Sequence, residues 1–490
     1  MIATHTRRRP RRAVAAAGLF VAVSTAAACG SEVSPQDFRG PGGTSYVTNV
    51  GGSQQVIPGV TTPVPGSTTS GSGSNGGGTG PVANPGSGQT GSGATAVPTT
   101  VATATPTGGS GVTAGSCAGF KNGHGIDSQY VNIGMIADLT GAQPNVFKDA
   151  VDAMNAYVAF FNSTSTICGR QLKLHIYDSG LTAAGDHSAS QAACSNFALV
   201  GSISAFDSGG ASVTTGCGQP DIRNTATNKA RFEAPNTFSV YSLNPEHPFL
   251  EPWAWLKQQH PSVIKHSAFV YLNAGASETD ASYFMKGTSQ KLGYHWDKTI
   301  VVDLTSVPNW NAYANELKSA GITFVSGILN LDTPKLQEAF AQANYHPVFL
   351  ADNSAYTLST IGTGEQAKAM EGLYVYSQSE LLDDVNRVPE MQTYESWVQR
   401  TGGGAPDAEG MFSWSAGVLF TQLATELGGK LTQQSLITAL RGVHRFNGNG
   451  LMSPMNPGQK ITGPCASIAQ VHNGRWVRVS PFPYVCGPLG

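Results

Sequence analysis

The sequence predicts an α/β fold of parallel sheets flanked by helices, divided into two lobes. Three observations carry this expectation. From about residue 130 onward, apolar strand-like runs alternate with segments of helical periodicity, the mark of parallel sheets covered by helices. The globular part begins near Ser116 and holds about 375 residues, more than one hydrophobic core normally serves. Residues 30 to about 115 are almost entirely Gly, Ser, Thr, Pro, Ala and Val, so a non-globular stretch separates that part from the N-terminus.

The elements follow in order. Arg7, Arg8, Arg9, Arg11 and Arg12 form a basic start, and Ala13 to Ala28 is apolar and small. A basic start, an apolar run too short to span a bilayer and small residues before a cut site describe an export signal over 1–29. The cut site Ala26-Ala27-Ala28-Cys29-Gly30 resembles a bacterial lipobox, with Ala26 where Leu is usual. Lipidation of Cys29, and with it a membrane anchor on the outer face, is the expectation. The 30–115 stretch cannot bury enough apolar surface to offset its ordering entropy. It reads as a disordered tether of about 50 Å mean span.

In the globular part, Val131 to Ala137 reads as the first strand. Phe147, Val151, Met154, Val158 and Phe161 recur at steps of four and three, one face of a helix. Leu172 to Tyr177 alternates as a strand, a helix follows near 182–196, and Phe197 to Gly201 is again apolar. The alternation resumes at Ser267–Leu272 and continues through Ile300–Val302, Ile322–Val325 and Val348–Leu350. Ligands of such sheets sit at the carboxyl ends of the strands.

Composition excludes several functions. The net charge is −2, and no basic run lies beyond the first dozen residues, so no nucleic-acid partner is expected. No H-E-x-x-H occurs, nor any G-x-S-x-G in the globular part. Gly362-Thr363-Gly364-Glu365-Gln366-Ala367 mimics a dinucleotide fingerprint but lacks the strand that should precede it. The expectation is no enzyme, no cofactor and no metal. Of seven cysteines, Cys29 is assigned to lipid. The remaining six allow 15 pairings, and proximity favours Cys117–Cys168, Cys194–Cys217 and Cys465–Cys486 as disulfides in an oxidising compartment.

Several segments together carry a family resemblance. Ile133-Gly134-Met135-Ile136-Ala137-Asp138-Leu139-Thr140-Gly141 resembles the first strand and loop of type I periplasmic solute-binding proteins of the leucine/isoleucine/valine-binding class. Gly169-Arg170-Gln171-Leu172 leading to Tyr177-Asp178 is similar to the family's next strand. Val200-Gly201-Ser202-Ile203-Ser204 is similar to its Val-Gly-Pro-x-Ser loop, with Ser202 in place of Pro. Gln219 to Ile222, followed by Thr225-Ala226-Thr227-Asn228, resembles its strand and Ala-Thr-x-Pro turn. Glu371-Gly372-Leu373-Tyr374-Val375 resembles the strand that returns the chain to the first lobe. The resemblance spans nearly all of 126–480. It implies two Rossmann-like lobes joined by three hinge crossovers, about 126–242 with 378–448 and about 243–377 with 449–490. They would close on a small-molecule ligand and deliver it to an ABC permease. A ligand-sensing module for a membrane partner, or a scaffold without ligand, are the alternatives.

The resemblance also implies a binding set. Thr140, Ser204, Ala205, Thr225 and Thr227 match the positions that hold a ligand carboxylate in the family. For each, a plain structural cap is the competing role. The acid that would pair an ammonium falls at Asp352 or Asn353, and a tyrosine common in the family is missing at Ala274-Gly275-Ala276. Asp332 and Thr333 are further cleft candidates. Phe412 and Trp414, expected just before a helix, fit core packing better than a ligand wall.

Overall fold

The computed structural model describes residues 32–33, as backbone, and 113–490 apart from Pro245. The export signal 1–29 with Cys29, and the tether up to residue 112 apart from that short strand, lie outside the described residues. Among the described residues no helix is long and apolar enough to cross a membrane.

The first sheet has the order β1-β3-β2-β4-β5-β6. Its strands are β1 (Glu32–Val33), β2 (Tyr130–Ala137), β3 (Gln171–Asp178), β4 (Ala198–Val200), β5 (Asp221–Thr225) and β6 (Thr237–Tyr241). All pairs are parallel except β1 with β3. The second sheet has the order β13-β12-β11-β10-β9-β7-β8, with β14 beside β12. Its strands are β7 (Ser267–Leu272), β8 (Trp296–Val302), β9 (Phe324–Ile328), β10 (Val348–Ala351), β11 (Tyr374–Ser377), β12 (Cys465–His472), β13 (Arg475–Arg478) and β14 (Val485–Cys486). Here β7 to β11 run parallel, and β12, β13 and β14 add an antiparallel edge. The α/β expectation is met. The strands expected at 131–137, 172–177, 267–272 and 348–350 are present, and that expected at 322–325 begins two residues later.

Position in the sheet explains the sequence patterns. Central strands β4, β5, β9 and β10 are covered on both faces and are buried almost throughout. In β3, next to the edge, burial alternates along Gln171–Leu174, as its sequence does. The Lys148–Thr164 helix buries Val151, Met154 and Phe161, the face that the 3.6-residue spacing marks. Asn162 fastens its end to β3: its amide donates to Leu172 O at 2.8 Å, and Leu172 N returns a bond of 2.8 Å to its oxygen.

After β11 the chain runs into the helices Pro389–Arg400, Ala408–Leu427 and Gln433–Arg441, which pack on the first sheet's side. It then returns to β12. The chain therefore passes between the two sheets three times. The Ala408–Leu427 helix is the centre of this packing. Gly417 lies against the ring of Tyr157, where any Cβ would sit 2.3 Å from Cδ1, so only glycine permits the approach. Trp414 stands edge-on to Tyr157 at 4.9 Å between centroids and donates from Nε1 to Glu390 Oε1 at 2.8 Å. Phe412 and Trp414 lie inside this helix, not before it, and both are fully buried.

The disulfides Cys117–Cys168, Cys194–Cys217 and Cys465–Cys486 are all formed, the pairing that proximity favours. Gly362–Ala367 follows the short Leu358–Ile361 helix rather than a strand, which removes the geometry a dinucleotide fingerprint needs.

Candidate functional site

The carboxyl ends of the two sheets' parallel strands meet around a cavity of about 70 Å³. From the first sheet's side it is lined by Phe147, by Ile203 and Ala205 after β4, by Thr225 and Thr227 after β5, and by Tyr241 at the end of β6. Glu409, in the first turn of the Ala408–Leu427 helix, completes that side. From the second side come Ser277, Asp280 and Phe284 of the Gly275–Leu292 helix, Ile328 and Asn330 after β9, Asp352 to Ser354 after β10, and Tyr376 of β11.

Three hydrogen bonds tie the two walls together. Asn353 Nδ2 donates to Glu409 Oε1 at 2.6 Å. Gln143 Nε2 donates to Asp332 Oδ2 at 3.0 Å. Ala276 N, in the first turn of its helix, donates to Ala205 O at 3.1 Å. The cleft is thus bridged from both sides.

Of the expected site residues, Ala205, Thr225, Thr227, Asp352 and Asn353 line this cavity and Thr140, Ser204 and Asp332 do not. Thr140 is exposed and donates from Oγ1 to Asp178 Oδ2 at 2.5 Å. Ser204 is fully buried, and its carbonyl accepts from Thr227 Oγ1 at 3.3 Å. Asp332 accepts from Gln143 and from Lys335 Nζ at 2.7 Å, so it serves the closure of the walls.

Three backbone donors at the cavity's first wall are already engaged. Ala205 N donates to Asp138 Oδ2 at 2.8 Å, Thr227 N to Asp207 Oδ2 at 2.9 Å and Asn228 N to Asp207 Oδ1 at 3.0 Å. Both acids are fully buried. Burial pushes the Asp138 carboxyl up to about 6, against its bonds from Ser179, Ala205 and Leu181. Beneath them lies a buried charge network. Arg231 pairs with Asp186 at 3.0 Å and Asp221 at 3.2 Å, and donates from Nε to Asp207 O at 2.9 Å. Arg223 pairs with Asp221 at 3.5 Å and sits 3.9 Å from Asp207. This network fixes the loop that carries Asp207.

Three carboxyl groups face the cavity itself. Asp352 keeps Oδ2 on Ser354 Oγ at 2.7 Å, while its buried Oδ1 has no partner. Glu409 accepts from Asn353 on Oε1, and its buried Oε2 has no partner. Burial raises Asp352 to about 6, and burial together with the nearby Asp352 charge raises Glu409 to about 7. Asp280 is pushed up by burial and by Asp352 and Asp207. Thr225 Oγ1 is a further buried group without a partner. The sequence reading missed Asp280, Glu409, Tyr241 and Tyr376. A signal for Asp280 exists: Ser277, Asp280 and Phe284 are spaced three and four apart, a charge set on the inward face of a helix.

Among the described residues no group of three or more His, Cys, Asp or Glu side chains is placed to hold a metal ion. The arrangement offers a closed, acid-lined binding chamber with apolar walls.

This geometry defines a solute-binding cleft between two α/β halves. A family model described as periplasmic binding protein matches residues 130–475, and the chain belongs to that family. None of the curated proteins matches the chain by sequence. Among solved structures, it is similar to a fatty acid ABC transporter substrate-binding protein from Thermomonospora curvata. The two share 17% identity at a TM-score of 0.62, over 75% of this chain and 95% of that one. It is also similar to the branched-chain amino acid transporter substrate-binding protein LivJ from Streptococcus pneumoniae, in complex with isoleucine (12% identity, TM-score 0.59, 71% and 100% covered). A solute-binding protein from R. palustris in complex with 4-hydroxybenzoate is comparable (13%, 0.60, 74% and 97%). At these identities the likeness establishes the fold, and the three proteins are associated with three different kinds of solute.

Proposed function

We propose that the protein is an exported substrate-binding lipoprotein that captures a small polar metabolite between its lobes and delivers it to an ABC importer. One observation carries the reading. The cavity lies where the carboxyl ends of both parallel sheets converge, and its walls hold buried polar atoms, Asp352 Oδ1, Glu409 Oε2 and Thr225 Oγ1, that no protein group satisfies. Unpartnered buried polar groups are costly, and a bound solute supplies the missing partners. The lobes, about 126–242 with 378–448 and about 243–377 with 449–490, move as rigid halves about the three crossovers, and the solute selects the closed form. The reading contains no chemical step. Membership of the periplasmic binding protein family supports an extracytoplasmic place. A lipid on Cys29 would keep the cleft at the membrane; the pairing of Glu32–Val33 with β3, three residues further on, departs from a tether that is disordered over all of 30–115.

A thermal-shift screen against amino acids, amides, amines, fatty acids and aromatic acids tests capture. Binding to the folded state raises the melting temperature with ligand excess over Kd. A shift that disappears in Asp352→Ala supports the reading, and no shift with any class contradicts it. Palmitate labelling of cells, lost on Cys29→Ala, tests the anchor.

A further inference from the structure

We infer that the captured solute is an organic cation without a carboxylate, with a short alkyl diamine or guanidino-amine as its chemical class. The inference rests on the solute-capture reading and names the ligand class of that same cleft.

Charge is the first argument. Asp280, Asp352 and Glu409 line the cavity, and no Lys or Arg lines it. Asp352 and Glu409 are 6% and 7% exposed, and each has one buried oxygen without a partner. Asp280 makes no hydrogen bond among the described residues. The buried guanidinium groups of Arg223 and Arg231 pair with Asp186, Asp207 and Asp221, with Arg223 Nη2 left without a hydrogen bond. Like charges gathered in a poorly solvated chamber repel and disfavour ionisation. An ammonium or guanidinium placed among them turns that repulsion into charge-assisted hydrogen bonds.

The second argument is independent of the acids. An anionic solute needs free donors, and four backbone donors around the cavity are occupied. Asp138 takes Ala205 N, Asp207 takes Thr227 N and Asn228 N, and Ala205 O takes Ala276 N at the start of the Gly275–Leu292 helix. Thr225 Oγ1 on the first wall is buried and unpartnered, and it can accept a hydrogen bond from a cationic nitrogen. A solute carboxylate would meet internal carboxylates already seated on these donors.

Geometry separates an organic cation from a metal ion. The acids do not converge on one point closely enough to coordinate an ion. They stand apart, on the Gly275–Leu292 helix, in the loop after β10 and in the Ala408–Leu427 helix. Ile203, Phe284 and Ile328 line the same cavity. Nitrogens at the ends of a methylene chain suit acids held on different elements of a partly apolar cavity.

Isothermal titration of the full exported chain at pH 7.5 tests this, with putrescine, cadaverine, agmatine, isoleucine and butyramide as probes. The expected result is binding of at least one of the three amines, with isoleucine and butyramide at least tenfold weaker. Asp280→Asn and Glu409→Gln should each weaken the amine tenfold or more while leaving the melting temperature unchanged or higher, because each relieves repulsion among the cavity's acids. If the tightest solute in this set and in the wider screen carries no cation, or carries a carboxylate, the inference fails while solute capture stands. If no class of solute binds, both fail.

Discussion

Asn353, in the loop after β10, donates to Glu409 at 2.6 Å across the mouth of the cavity. One partner belongs to the second sheet's side and the other to a helix packed on the first. The bond therefore reports closure of the cleft, and it also leaves Glu409 one oxygen for the solute. A hydrogen bond to a charged acceptor contributes about 1.5–3 kcal/mol. Asn353→Ala should weaken solute affinity about tenfold, mainly through faster release, with little change in melting temperature. Surface plasmon resonance separates the two rates.

The acid-lined cavity makes the empty protein sensitive to pH. Asp352 is raised from 3.8 to about 6 and Glu409 from 4.5 to about 7. Facing them are Asp280, Tyr241 and Tyr376, all pushed up by burial and by these same acids, and no base lines the cavity. Both folded values lie above the ordinary ones, so the folded state holds more protons in between. The stability this confers is full below the ordinary values and is lost as pH rises through 6 and 7. Asp138 and Glu380, raised to about 6 and about 7, act with the same sign. The urea midpoint of the empty protein should therefore be lower at pH 8 than at pH 5.5. Glu409→Gln should reduce that difference without abolishing it.

Solute affinity should move the opposite way. A cation is held best by ionised carboxyls, so binding of an amine should strengthen from pH 5.5 to pH 8 and release protons. Titration in two buffers of different ionisation enthalpy measures the release. A neutral solute would show proton uptake or none.

Arg231 holds three segments at once, through Asp186, Asp221 and the Asp207 carbonyl, and is fully buried. Removing one member of such a network strands the others without partners, at about 3–5 kcal/mol. Arg231→Met should lower unfolding free energy by that amount and loosen the Asp207 loop. Chemical denaturation measures the loss.

The legible part of this fold follows from burial. Strands β2, β7 and β10 carry apolar runs and are visible, whereas β6, Thr-Phe-Ser-Val-Tyr, is only five residues long and its alternation is easily passed over. The β12–β13 hairpin turns at Asn473-Gly474, a turn signal that passed unread. Half of the cavity was legible for a related reason. Thr225 ends its strand and Thr227, Asp352 and Asn353 closely follow theirs, where parallel sheets present their loops. Asp280 and Glu409 reach the cavity from helices, about 130 residues apart in sequence, and only tertiary packing brings them together. Asp332 follows its strand too, yet it closes the walls rather than lining them, a distinction that depends on Gln143.

The central claim is capture of a solute between the two sheets, and hydrogen–deuterium exchange with and without the solute found in the screen tests it most directly. The account predicts simultaneous protection of 203–207 and 225–228 on one wall and of 275–280 and 352–354 on the other. Protection confined to one wall, or located away from the cavity, would contradict it.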